Sequence, residues 1–426
     1  MLPFGGGFVD AELTGARARL PIIDNEVPFT FEELFFSRTD WRGVILAGNS
    51  VFQRVSLYDW DELIQKPHNV IRHPDMPKGV FWLLWDTIKK GEPIGAYVKN
   101  RAKDGRYYWV FAIVTPIEGG YLSVRLKPGS PLLAVVAQEY KSLLATVSDN
   151  KVGARIGADV LLQRLAALGF EDYASFMAAA LSQEIAARNQ RLGLEPDAAI
   201  ACFGELVTAA KSLLHQAELI FAAYARSEYV PINLRVQAAH LGQSGAVIDT
   251  ISTNYNLISS EIRTNMNQFI ASAASVLRTI NEGLFLLGTA TIQREAADLF
   301  RQEMALSADL KGQDQHQEMR FLDNQRQAYR QKAIDGLTAI NERVGSFRRD
   351  CAGMKRLTAG LEVTRVMGKM ESARLTVIKD GLNELIDDLE AFQAAVTDGL
   401  KEIDINNQSI QNNVGRLVGM VNSRAL

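Results

Sequence analysis

The stretch QKPHNVIRHPDMPKGVFWLLWDTIKKGEP, residues 65–93, continued by VKNRAKDGRYYWV, residues 98–110, carries the densest chemistry in the chain. Between Gly48 and Val110 lie four of the five tryptophans (Trp60, Trp82, Trp85, Trp109) and two of the five histidines (His68, His73). Pro74 and Pro77 lack an N–H and restrict the residue before them, so no long helix runs through the centre. The segment Asn69 to Pro77 therefore reads as a polar turn beside an apolar segment, which points to a pocket.

Working outward, the pattern on both sides is that of short strands. TFEELFFSRTDW (30–41) and GVILAGN (43–49) are apolar runs separated by a turn at Asp40 to Gly43, a first hairpin. Two short helices are expected at Ser50 to Leu57 and around Trp60 to Ile64, and a longer one from Pro77 to Lys90, stopped by Gly91 and Pro93. Three strands come next, IGAYVKNRA (94–102), RYYWVFAIVTPI (106–117) and GGYLSVRLK (119–127), separated by glycine-containing turns. Before all this, residues 1–28 hold Gly5 to Gly7 and prolines 3, 21 and 28, and read as a flexible or loosely docked leader.

After Lys127 to Pro131 the composition changes, and that segment is the expected domain boundary. No tryptophan lies beyond it. Apolar residues recur every three or four positions from Ile251 through Leu284, and a second stripe runs from Ile334 to Met354. The last segment is a heptad repeat: Leu382, Leu389, Val396, Ile403, Ile410 and Leu417 form one column. Ile386, Gln393, Leu400, Asn407, Val414 and Val421 form the other. Polar residues inside such a seam set register. Residues 311–332 are so polar that they read as an exposed helix or a crossing loop. Residues 132–426 are thus expected to form a module of six to nine helices, with a possible subdomain at 150–225.

Forty-six basic against 49 acidic residues, with no basic block, exclude a nucleic-acid binder held by phosphate contacts. Cys202 and Cys351 stand far apart in helical patterns, giving no disulfide framework or zinc site. The N-terminus lacks the basic and apolar regions of a signal peptide, and no uninterrupted apolar run reaches membrane-spanning length, so a cytoplasmic protein without membrane spans is expected. His215, His240 and His316 are scattered, no glycine-rich nucleotide motif or nucleophile elbow occurs, and catalysis is not expected.

The HNVIRHPDMP core and the VKNRAKDGRYYWV run resemble the FAD-binding PAS domain of bacterial aerotaxis receptors, over about a hundred residues. The resemblance implies a PAS domain at 29–128, an α+β fold of a five-stranded antiparallel sheet with flanking helices, followed by the mainly helical bundle or coiled-coil module. It also implies a flavin site: Asn49, Arg72, His73, Asp75, Trp85 and Asn100 match positions that line or support the FAD pocket in that family. A flavin needs a flat apolar slot, polar groups at the ring edge and cations or N–H groups for the pyrophosphate. The chain departs from the family at Ile94, where tryptophan is usual. Taken without the resemblance, Arg72 and Asp75 read as a pair across the turn and Trp85 as core; His73 is also open as a ligand to haem.

Two further segments, Asn233 to Gly245 and Arg365 to Arg374, resemble a degenerate signalling tip of chemoreceptors. His240 and Gln243 stand where that pattern has arginine and an acidic residue. The bland reading is a tight bundle built on small residues, with Glu371 and Arg374 a surface ion pair. The expectation is a redox- or oxygen-responsive, aerotaxis-like signalling protein, homodimeric through both regions, with a chemotaxis kinase or coupling protein as possible partner. The alternative is a ligand-free PAS scaffold that binds another signalling protein.

Overall fold

Alternation of apolar and small or polar residues between Leu34 and Leu126 produces five strands in one antiparallel sheet. They are β1 (Leu34–Asp40), β2 (Ile45–Gly48), β3 (Ile94–Arg101), β4 (Tyr107–Ile117) and β5 (Gly120–Leu126), in the order β2-β1-β5-β4-β3. Between β2 and β3 run α1 (Ser50–Ser56), α2 (Trp60–Leu63), a 3₁₀ turn (His68–Ile71) and α3 (Lys78–Lys89). Two strands, a helical middle and three strands is the order expected from the sequence. The computed structural model describes residues 20–146, 151–240, 245–306, 314–374 and 380–423.

The chain divides into two compact units. The first comprises Met1–Gly169, Arg191–Gly193 and Ile292–Asn324, so it takes in α4 (Leu132–Thr146) and α5 (Lys151–Ala167) beyond the composition change. Tyr140 of α4 donates its hydroxyl hydrogen to the Tyr97 carbonyl at 3.1 Å. Gly79, in the first turn of α3, lets α5 come so near that a Cβ there would stand 2.5 Å from the Gly157 carbonyl carbon. Upstream of β1 the chain is tied to the β3–β4 hairpin. Ile23 N–H donates to Gly105, and Val27 and Asn25 exchange backbone hydrogen bonds with Tyr107. Gly105 has φ +99°, and a side chain there would strike the Pro21 carbonyl.

The second unit comprises Phe170–Gln190, Leu194–Thr291 and Gln325–Leu426. It contains α7 (Ala198–Ser227), α8 (Val230–His240), α11 (Asp380–Ser423), most of α6 (Tyr173–Leu192) and the greater part of α9 (Ala246–Leu306) and α10 (Gln315–Arg374). From α4 onward the described residues form eight helices. The polar run resolves, from Gln315 on, into the first turns of α10. In α11 the heptad columns are buried along α7, with Leu389, Val396, Ile403, Ile410 and Leu417 all at 2% exposure or less. Gly399 lets α7 approach, since a Cβ there would meet Ile220 at 2.8 Å. Leu382 and Val421 lie outside the described side chains.

Two stretches, Ala198–His240 and Ala246–Ala305, are long and apolar enough to cross a membrane by length and composition alone. About half of the most apolar 18-residue window of each is buried inside the protein (50% and 56%), as in the core helices of a bundle. The sequence expectation counted unbroken apolar runs, and interspersed polar residues hid these stretches from it.

Candidate functional site

Residues alternate across a strand, so the register sorts the sheet into two faces. Arg125 stands opposite Phe35 and Ala112, Ala112 opposite Ala96, Ser37 opposite Ser123, and Tyr108 opposite Asn100. These residues share one face. That face is turned to the helical middle: the Arg125 guanidinium lies 5.4 Å from the Phe52 ring of α1, and Tyr121 meets Trp85 of α3 edge-on at 5.6 Å. The other face, with Phe36, Arg38, Thr115 and Tyr97, meets α4 and the adjoining ends of α9 and α10.

The inner face holds a buried polar cluster. Arg125 Nη2 donates to Ser37 Oγ at 2.7 Å and lies 2.7 Å from His68 Nε2. Guanidinium only donates, so Nε2 accepts and the proton of the neutral ring sits on Nδ1. Burial, then the Arg125 charge, pushes His68 down to about 3. Burial likewise lowers Arg125 to about 10. Tyr108 stacks on Phe35 at 5.8 Å, and burial raises its phenol well above the ordinary range, so it remains a protonated donor. Arg125 Nη1, Tyr108 Oη and Ser123 Oγ are buried with no hydrogen-bond partner among the described residues. Unpaired buried donors are costly, and three on one face form a set that a ligand with acceptor atoms would satisfy.

The six residues singled out in the sequence do not converge on one point. Asn100 and Trp85 belong to the inner face. Asn49 is committed to the backbone: Oδ1 accepts from Phe36 N (3.0 Å) and Phe52 N (3.2 Å), capping α1, while Nδ2 donates to Leu34 O (2.8 Å). The Arg72 to Asp75 segment runs beside edge strand β3, through a backbone bridge between Arg72 and Asn100. Arg72 donates to Met76 O and covers the Phe81 ring at 4.0 Å. Asp75 is bound at 2.6 Å by Lys99. His73, 1% exposed, accepts the Asp75 N–H on Nδ1 at 3.1 Å and meets Tyr107 edge-on. Burial, then Lys99, lowers its affinity for a proton, so it is neutral with its proton on Nε2, which has no partner among the described residues.

Arg101 follows Asn100 on β3, and alternation turns it to the opposite side, where it donates to the Leu20 carbonyl. His68 and Arg125 were passed over, although Tyr121, Ser123 and Arg125 alternate with Leu122, Val124 and Leu126 and so put a charge in phase with the inner face.

Set against known protein families, residues 45–123 match the PAS fold. Residues 45–123 are a PAS domain. The aerotaxis receptor of Escherichia coli (strain K12) is 39% identical over 136 residues, spanning this PAS domain. That region is 31% of this chain and 27% of the receptor, so the chain spans about a quarter of its relative's length. Among solved structures, the PAS domain of a Colwellia psychrerythraea protein is 20% identical, covering 22% of this chain and 85% of that one, with TM-score 0.20. A blue-light-activated histidine kinase from Erythrobacter litoralis is 18% identical, covering 35% and 58%, with TM-score 0.21. Beyond the PAS domain the chain is mostly helical.

Proposed function

We propose that this chain is a signal-transduction protein whose PAS domain binds a flavin, of the FAD type implied by the aerotaxis-receptor resemblance, on the inner face of the sheet. One observation carries the reading: Arg125, Tyr108 and Ser123 present unpaired buried donors on a single face that also carries the small side chains of Ala96 and Ala112. Those residues fit a flat ring with acceptor atoms at its edge. When bound, a flavin supplies a reversible redox couple.

In this reading the chain's own groups orient the ring. Arg125, fixed by Ser37 and by neutral His68, offers the two N–H donors of Nη1 and a positive charge. Tyr108 stays protonated and donates. Asn100, 3% exposed on the same face, offers an amide that donates or accepts according to its rotation. Trp85 closes the side where Tyr121 stands. Arg72, His73 and Asp75 act from the β3 edge, holding that strand and the turn beside it. His73 is disfavoured as a haem ligand, because the nitrogen away from Asp75 carries the proton.

The helical module is the output, in a cytoplasmic, non-catalytic homodimer that engages a chemotaxis kinase or its coupling protein. Of the two tip-like segments, residues 241–244 lie outside the described residues. In the other, Glu371 and Arg374 pair at 3.6 Å while Arg365 reaches Glu390 at 3.3 Å.

The test is an absorbance and fluorescence scan of the full chain, as purified and after loading with excess FAD, with thermal unfolding of both samples. A flavin spectrum and a raised unfolding temperature are expected. A Soret band would replace flavin by haem. A colourless protein that gains no thermal protection from FAD overturns the sensor reading and leaves the ligand-free scaffold.

A further inference from the structure

The outer face of the sheet is covered by helices far away in the chain. Arg38 on β1 makes a forked ion pair with Glu318 on α10, with Nε 2.7 Å from Oε2 and Nη2 2.6 Å from Oε1. The two residues are 280 positions apart, and their side chains are only 13% and 2% exposed. The same guanidinium lies 5.1 Å from the Phe321 ring. Phe300 of α9 packs on Phe36 at 5.3 Å. Glu303 accepts the N–H of Ser50 at 2.8 Å, supplying an acceptor to a first turn of α1 that has no acidic residue of its own. Gln293 donates to Thr115 at 3.2 Å.

Each of these contacts lies inside the first compact unit, to which residues 292–324 belong, while the same two helices continue into the second. We infer that residues 292–306 and 314–324, at the adjoining ends of α9 and α10, are a releasable clasp on the outer face of the sheet, locked in register by Arg38 and Glu318. A permanent core is apolar. Here three of the attachments are ionic or hydrogen-bonded, and their groups regain water on release, as in contacts between domains that move. A buried charge pair adds little to net stability but fixes which residues meet, and removing one partner strands the other. Release would uncover Phe36 and Thr115 and free the ends of α9 and α10 together, a two-arrangement element of the kind allostery needs. The inference stands whether or not the inner face takes a ligand.

Hydrogen exchange read by mass spectrometry on the full chain tests it. In mild urea, wild-type peptides from 292–305 and 315–324 are expected to exchange through an opening that leaves β4 and β5 protected. If they exchange only together with those strands, there is no separate clasp and the inference is overturned. Glu318→Gln and Arg38→Gln are each expected to speed exchange in peptides 292–305 and 315–324 by at least about tenfold, with α7 and α11 peptides unchanged. Reversing the pair, Arg38→Glu with Glu318→Arg, restores protection. Unchanged exchange in the single variants, or no recovery in the reversed pair, also overturns it.

Discussion

Buried polar side chains occur in the PAS sheet and in the α11 heptad, but they are distributed differently. On the inner face of the sheet, Arg125, Tyr108 and Ser123 leave unpaired atoms together on one surface, next to a neutral histidine. In α11, Gln393 and Asn407 stand 14 residues apart in one column, each buried between aliphatic residues of that column and each with an amide atom unpaired among the described residues. A convergent set is what a ligand would complete. Singles at a two-heptad interval serve register, because an amide in an apolar seam disfavours every alignment that buries it worse. The same cost, an unmade hydrogen bond, is put to two uses.

The largest effect should come from the apolar part of the seam. Ile403 is fully buried, and Ile403→Ala removes three carbons from a packed column at a cost of about 2–5 kcal/mol. Urea unfolding should show the loss while FAD retention by the folded protein stays unchanged. Loss of FAD at urea concentrations where the chain remains folded would break the division between the regions.

Next is a pH effect confined to the sheet. His68 titrates near its ordinary 6.5 when unfolded but is pushed down to about 3 when folded, by burial and then by Arg125. Between those values the unfolded chain holds a proton that the folded chain lacks, so stability rises with pH through that window. It is complete above about 6.5 and falls by about 1.4 kcal/mol per pH unit as acid is added. Burial, then Lys99, shifts His73 in the same direction. Compared at pH 6 and pH 5, wild type should lose more stability than His68→Gln; parallel losses would mean that the imidazole is not held neutral by its site.

A smaller effect separates ligand from fold. In Arg125→Leu, removing a buried cation offsets the loss of its bonds to Ser37 and His68, so ligand-free stability should move by less than about 1 kcal/mol. FAD retention should weaken by about 1.5–3 kcal/mol, the worth of a charged hydrogen bond. Equal FAD affinity in variant and wild type, measured by fluorescence titration, would remove Arg125 from the site.

Much of this was legible in the residues alone, and for identifiable reasons. Strand alternation and turn glycines specify the sheet, and a seven-residue period specifies the burial of α11, because both are local rules. The HPDMP turn was legible as a turn, but its partners were not: Asp75 binds Lys99, 24 residues on, and Arg72 lies over Phe81. Asn49 read as a pocket residue, yet its amide caps α1 and ties it to β1. Arg125 is in phase with the inner face by simple alternation, but the meeting with His68 depends on how a turn 57 residues away folds back. The pairing of Arg38 with Glu318 leaves no trace in either local pattern.

The smallest expected effect is the most discriminating. Asn407 is 1% exposed, and neither its amide oxygen nor its nitrogen has a partner among the described residues. Asn407→Leu exchanges an enclosed, unsatisfied amide for a side chain of the kind that fills Leu400 and Val414 around it, so the urea midpoint should rise by about 1 kcal/mol in stability. Gln393→Leu should gain less, since Gln393 is 8% exposed and leaves only its nitrogen unpaired. A stabilised Asn407→Leu protein with an unchanged denaturant slope and mixed helix register, read by cross-linking engineered cysteines, is what a register residue predicts. A destabilised variant whose midpoint depends on protein concentration would instead mean that Asn407 meets its counterpart in a second copy of the chain. Unpaired amides in this protein would then mark assembly rather than register, and the orphaned donors beside Arg125 would have to be tested for a protein partner before a flavin.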